Sequence, residues 1–169
     1  MALRFEELIE RHHDEIFAYL WRLLGRERHG DGTVDAEDVT QEVFLRAYRT
    51  FARLRPDSNP RAWLYKIATN CAYTRLNQTK KQSERLALLK HAATEPAVAG
   101  DVSSHRAAMD RRLSVLMNQL PAKQKACVTL RFLQDLDYPE IAQVVGCSRE
   151  SARANVYQAI RRLRLALKE

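Results

Sequence analysis

The sequence predicts an all-α fold: two small helical domains joined by a flexible linker, the C-terminal one containing a helix-turn-helix. Three observations carry this. Apolar residues recur at three- and four-residue spacing through both halves of the 169-residue chain, the period of helices with one buried face. No segment shows a convincing strand alternation, and five glycines and five prolines are too few for a chain built from β-turns. Large apolar residues stop between Lys90 and Ser104, where HAATEPAVAGDVSS has the composition of a tether. The expected organisation is therefore 1–89, a linker at 90–105, and 106–169. Fully extended, fourteen linker residues span about 45 to 50 Å, so the two bodies need not touch.

The first helix carries Phe5, Leu8, Ile9, His12, Ile16, Tyr19, Leu20, Leu23 and Leu24 on one face, and Gly25 with the turn formers up to Thr33 ends it. Asp35 can cap a second helix, with acids after it that suit the positive end of the helix dipole. Its apolar stripe is Val39, Val43, Phe44, Ala47, Tyr48 and Phe51. The stretch Arg55-Pro56-Asp57-Ser58-Asn59-Pro60 reads as a loop. A third helix starts near Arg61, with Trp63, Leu64, Ile67, Ala68 and Cys71 inward.

In the second body a helix with Leu113, Leu116, Met117 and Leu120 inward ends at Pro121, and another covers about 122–133. Asp137 and Glu140, three residues apart, form a capping box for a short helix bearing Ile141, Val144 and Val145. Gly146-Cys147 is the turn. Ser148 caps the last helix, which turns Ala152, Val156, Ile160, Leu163 and Leu167 inward.

Composition narrows the function. A net charge of +7 favours a polyanionic partner, and 46% hydrophobic residues are too many for a disordered chain. The N-terminus does not read as a signal peptide, and no apolar run approaches the roughly 18 residues of a membrane span. A cytoplasmic protein without membrane insertion is expected. Cys71, Cys127 and Cys147 are far apart and form no CxxC pair, so neither a disulfide framework nor a zinc site is indicated. His12-His13-Asp14 offers no metal site either, because adjacent helical residues point about 100° apart. No phosphate loop, nucleophile elbow or HExxH is present. The expected cofactor and metal complement is none, and no enzyme activity is expected.

Charge is distributed in blocks. The last helix, from Arg149 to Glu169, has six basic residues against two acidic ones. Opposite its apolar stripe lie Glu150, Ala154, Tyr157, Gln158 and Arg161, flanked by Arg153. In a helix-turn-helix this helix enters the major groove, where Arg and Gln can bond guanine and adenine edges. From Arg61 to Lys81 there are five basic residues and no acid, with Trp63, Tyr65 and Tyr73 interleaved. That combination suits single-stranded or melted DNA, although Trp63 reads first as a core residue. From Asp31 to Glu42 there are five acids and no Lys or Arg. Such a face repels DNA. Asp38, Gln41, Glu42 and Leu45 share one helical face, an apolar residue rimmed by acids that suits a basic protein surface.

The segment Asp35-Ala36-Glu37-Asp38-Val39-Thr40-Gln41-Glu42-Val43-Phe44-Leu45-Arg46-Ala47 resembles the polymerase-binding segment of bacterial sigma factors. Asn59-Pro60-Arg61-Ala62-Trp63-Leu64-Tyr65-Lys66-Ile67-Ala68-Thr69-Asn70 looks like the segment with which that family opens and reads the −10 element. Leu120-Pro121, Asp137-Tyr138-Pro139-Glu140-Ile141-Ala142 and Arg161-Arg162-Leu163-Arg164 resemble its −35-binding domain. The short two-domain chain is similar to the extracytoplasmic-function (ECF) subgroup. A departure lies at Glu150-Ser151-Ala152, where many relatives carry Gly-Thr-Val.

The resemblance implies partners and roles. Core RNA polymerase would be gripped at its β′ clamp helices by Asp35, Asp38, Gln41, Glu42 and Leu45, with the second domain resting on the β flap. At the −10 element, Arg55, Asp57, Ser58, Asn59 and Arg61 would surround a flipped base, and Lys66, Asn70, Tyr73, Lys80 and Lys81 would follow the opened strand. At the −35 element, Ser148, Arg149, Arg153, Ala154, Tyr157, Gln158 and Arg161 would meet promoter DNA. An anti-sigma factor is a further implied partner. A stand-alone helix-turn-helix regulator is the alternative, but it leaves the acidic helix idle.

Overall fold

The computed structural model describes residues 4–25, 32–89 and 105–168. Asp31 and residues 90–104 of the expected linker lie outside the described residues. Seven helices make up the fold: α1 (Phe5–Leu24), α2 (Gly32–Phe51), α3 (Pro60–Leu89), α4 (His105–Asn118), α5 (Ala122–Phe132), α6 (Tyr138–Val145) and α7 (Arg149–Lys168). All regular secondary structure among the described residues is helical, as the spacing of apolar residues requires.

The N-terminal helices pack as a three-helix unit. Leu8, Ile16, Tyr19, Leu20 and Leu23 of α1 are at most 1% exposed, and burial of each large apolar side chain contributes about 1.5 to 3 kcal/mol. They meet Val39, Val43 and Ala47 of α2 and Leu64, Tyr65, Ala68 and Ala72 of α3. The Tyr19 and Tyr65 rings meet edge-on at 5.2 Å, and the Tyr19 hydroxyl shares a hydrogen bond with Thr69 Oγ1 at 2.8 Å. Gly25 closes α1 at φ 72°. The positive φ favours glycine there, and a Cβ would also stand 2.8 Å from Asn118 Oδ1, the end of a side chain that would have to shift.

Local signals set the C-terminal helices. The Asp137 side chain accepts from the Glu140 N–H at 2.9 Å, and Glu140 Oε2 accepts from the Asp137 N–H at 3.0 Å, completing the capping box. Gly146, at φ 70°, supplies the left-handed residue that ends α6. Ser148 Oγ accepts from the Ser151 N–H at 3.1 Å and caps α7. Asp137→Ala is expected to destabilise the protein by about 1 kcal/mol, measured as a lower melting temperature with unchanged helix content.

Two expectations are corrected. Asp35 is not a cap: α2 begins at Gly32, and Asp35 sits in its first turn. Spacing places Tyr48 and Leu113 inward, but they are 67% and 40% exposed: Tyr48 lies at the margin of its apolar stripe, and Leu113 lies in the part of α4 from Ala108 to Val115 that is exposed throughout. The two bodies, which need not touch, do so. One continuous apolar core runs from α1–α3 into Ala126, Cys127 and Leu130 of α5, Ile141 and Val144 of α6, and Ala152 and Val156 of α7. The periodicity of a helix shows that it has a face to bury, not which neighbour buries it. A long linker permits separation without enforcing it.

Polar contacts seal the same junction. The Tyr65 hydroxyl donates to Gln134 Oε1 at 2.7 Å. Lys125, only 6% exposed, donates from Nζ to the Leu23 carbonyl at 3.0 Å and to Asn118 Oδ1 at 2.8 Å.

Candidate nucleic-acid and protein interfaces

The acidic helix face is open. Asp38, Gln41 and Glu42 are exposed, and Leu45 is 59% exposed between them. Their placement follows from the opposite stripe, since Val39, Val43 and Ala47 are drawn into the core. Asp35 is tied to Arg75 of α3 by an ion pair, and its carboxylate raises the Arg75 pKa by accepting this hydrogen bond. Glu42 pairs with Arg46 one turn on.

The −10 candidates divide into three groups. Arg55, Asp57 and Ser58 form an exposed turn: the Arg55 carbonyl accepts from Ser58 Oγ at 2.6 Å, and the Arg55 guanidinium bonds Asp57. Lys66, Asn70, Lys80 and Lys81 are exposed along α3. Asn70 also lines a cleft of about 290 Å³ with Arg46, Arg49, Thr50 and Ile67. Arg46 and Arg49, three residues apart on α2, bring two guanidinium groups to this cleft.

Asn59 and Arg61 of the remaining group are bonded within the protein. Asn59 Oδ1 accepts from the N–H groups of Arg61 and Ala62, both at 3.1 Å, and so caps α3, while its Nδ2 donates to Glu140 Oε1 at 2.8 Å. Arg61 Nε donates to both Glu15 oxygens at 3.1 Å, and its Nη2 reaches Glu15 Oε2 and the Gln134 carbonyl at 2.8 Å. Burial works against ionisation of Glu15. Hydrogen bonds from Arg61 and His12, with their charges, outweigh it and hold the carboxyl below its usual range. The Tyr73 hydroxyl is buried without a partner, so this end of the ring points into the fold. Trp63 packs against the core, as its spacing suggested.

On α7 the outward residues Arg149, Arg153, Ala154, Tyr157, Gln158 and Arg161 are all exposed, as is Ser148 at its cap. Tyr157 is 68% exposed. The Arg153 guanidinium lies 5.3 Å from the Tyr138 ring centroid, and Arg131 lies 5.2 Å from the same ring, so Arg153 is held over α6 at the edge of the exposed face of α7. Gln158 accepts a hydrogen bond from Gln124 of α5 at 2.9 Å.

His12 and His13 diverge, as their adjacency demands: one bonds Glu15, the other Asp14. Among the described residues no group of three or more His, Cys, Asp or Glu could hold a metal ion, and no helix is long and apolar enough to cross a membrane. Cys71 and Cys127 are buried free thiols, and burial pushes Cys127 up to about 12.

An exposed basic helix-turn-helix and a second basic helix with an open acidic neighbour define a helical DNA-binding protein. Residues 8–82 match the family model Sigma-70 region 2, and residues 110–163 match Sigma-70, region 4. The chain is 31% identical to the RNA polymerase sigma-H factor of Pseudomonas aeruginosa, over 74% of this chain and 69% of that protein. It is 28% identical to the ECF RNA polymerase sigma-E factor of Haemophilus influenzae, over 92% of this chain and 82% of that one. Its fold is similar to that of the sigma factor RpoE from Bartonella quintana, solved in complex with the anti-sigma factor NepR. The TM-score is 0.73 at 21% identity, covering 97% of this chain and 96% of that one. The chain belongs to the sigma-70 family of RNA polymerase sigma factors, in its ECF group. Its domains are those that bind core RNA polymerase and promoter DNA, and its function is to direct transcription initiation.

Proposed function

We propose that this factor is an alternative ECF sigma factor held in check by an anti-sigma protein, and that it acts in the cytoplasm without chemistry of its own. The observation that carries the reading is the open Asp38-Gln41-Glu42-Leu45 face of α2. Acids around an exposed leucine repel DNA and suit a basic protein surface, here the clamp helices of polymerase β′, with Asp35 at the rim.

Residues 1–89 then act at the −10 element and 106–169 at the −35 element, with 90–105 as the tether through the polymerase. The Arg55–Ser58 turn lies beside Asn59 and Arg61, and together they trap a flipped base. Such capture helps offset an unpairing cost of a few kcal/mol. Lys66, Asn70, Lys80 and Lys81 follow the opened strand, and the ring of Tyr73 lies beneath that path. Arg153, Ala154, Tyr157 and Gln158 read the −35 element from α7, with Ser148, Arg149 and Arg161 toward the backbone. Phosphate contacts supply affinity, and base contacts supply choice.

The solved complex of RpoE with NepR supports anti-sigma control by analogy of fold. Exposed Leu88 and Leu89 at the end of α3 (82% and 81%) offer apolar surface for such a partner.

The test is reconstituted transcription with core polymerase, this protein and a genomic promoter library. Promoter-specific transcripts that depend on the protein support the reading. Tight, specific duplex binding by the chain alone, without transcripts, favours a stand-alone regulator. Within that system, replacing Lys80 and Lys81 with alanine should weaken binding evenly across promoters and reduce the log–log salt slope by about 1 to 2. A loss confined to some promoters would mean that these lysines read bases.

A further inference from the structure

The reading face of α7 is backed by a residue that never reaches DNA. Gln124 lies on α5 and is 6% exposed. Its Nε2 donates to Oε1 of Gln158 at 2.9 Å, while its own Oε1 is buried without a partner. The two ends of an amide are distinguished by their bonding. Exchanging O and N in Gln124 would leave an NH₂ donor buried in place of the unpaired oxygen. Buried orphan donors are rarer than under-satisfied carbonyls, so the donor belongs toward Gln158.

This bond constrains Gln158. A free glutamine can turn its amide to offer both an acceptor and a donor to adenine N6 and N7. With its oxygen already accepting from Gln124, the Gln158 amide has both NH₂ protons still to offer. That group matches acceptors, namely guanine O6 and N7, thymine O4 or the lone N7 of adenine, and meets the cytosine amino group donor against donor.

We infer that Gln124 is a specificity-determining residue: by accepting none of Gln158's protons and tethering its oxygen, it makes Gln158 a hydrogen-bond donor toward one −35 base. The inference rests on Gln158 being a −35 reader, as proposed above. Gln124 is a positioning residue. It contributes no base contact, only the orientation of one.

The test uses full-length factor with core polymerase and a promoter library randomised across the −35 element. Four proteins are compared: wild type, Gln158→Ala, Gln124→Glu and Gln124→Leu. The wild type should favour guanine or thymine over cytosine at one position by about fivefold, the low end of what a good base contact discriminates, with adenine, which offers N7 alone, in between. Gln158→Ala should flatten that position alone. Gln124→Glu places a carboxylate behind Gln158, which accepts from its NH₂ and turns its oxygen outward. The preference at that position should then move toward adenine or cytosine. Gln124→Leu has neither donor nor acceptor, so its preference there should fall severalfold with the other −35 positions and the −10 profile unchanged.

Thermal melting and helix content check that each variant folds, and the leucine variant keeps the test open should the buried carboxylate unfold the domain. If Gln158→Ala changes the profile while Gln124→Leu keeps the wild-type preference, Gln124 does not set it and the inference is overturned alone. If Gln158→Ala leaves every −35 position unchanged, the base-reading role of Gln158 falls, and the inference with it.

Discussion

Asp38→Lys combined with Glu42→Lys is expected to abolish capture of core polymerase and leave the fold intact. Both side chains are exposed on α2. The Glu42–Arg46 pair that would be lost has partners each 48% exposed, and such surface pairs contribute about 0 to 1 kcal/mol. The buried stripe of Val39, Val43 and Ala47 is untouched, so circular dichroism and the melting temperature should barely move. Against a basic docking surface the substitution replaces two attractions with two repulsions. Like-charge juxtaposition at an interface costs several kcal/mol, so affinity should drop by at least about a hundredfold. A pull-down with core polymerase measures it, and wild-type retention would refute the docking face. Retained binding with lost −10 opening would instead move Asp38 and Glu42 to a later step.

The second large effect is expected at Lys125→Ala. This lysine sits at the junction of the two halves, its charge almost wholly out of water and bonded to the last-turn carbonyl Leu23 O and to Asn118. A cation at a helix C-terminus is favoured by the helix dipole. Hydrogen bonds to a charged group contribute roughly 1.5 to 3 kcal/mol each, and truncation also empties the space of the aliphatic stem. A loss of about 3 kcal/mol in urea-denaturation stability should follow. Lys125→Met keeps most of the stem and separates the two contributions: partial recovery assigns the remainder to the ammonium. Unchanged stability in both variants would mean that Leu23 O and Asn118 find other donors at no cost.

What could be read from the sequence was what local chemistry decides. The capping box of Asp137 and Glu140, the Ser148 cap, the glycine turn and the outward set on α7 each depend on residues within one or two turns, and the structure has all of them. The open acidic face was legible for the same reason. Pairings made across the fold were not. Arg61 bonds Glu15, 46 positions away, and nothing near either residue announces the other. Gln134 is a polar residue in a short turn, with no periodic signal, but it holds both Arg61 and Tyr65. Tyr73 looked like a base-stacking aromatic among basic residues, and only the packing of α3 shows its hydroxyl turned inward. The shared core escaped notice because two amphipathic bodies and a tether read alike whether or not they dock.

Glu140 divides its two oxygens between distant tasks. One closes the start of α6, and the other holds Asn59 at the start of α3. A lesion at this single codon therefore frays two helix beginnings in different halves of the chain, so one substitution should loosen both at once.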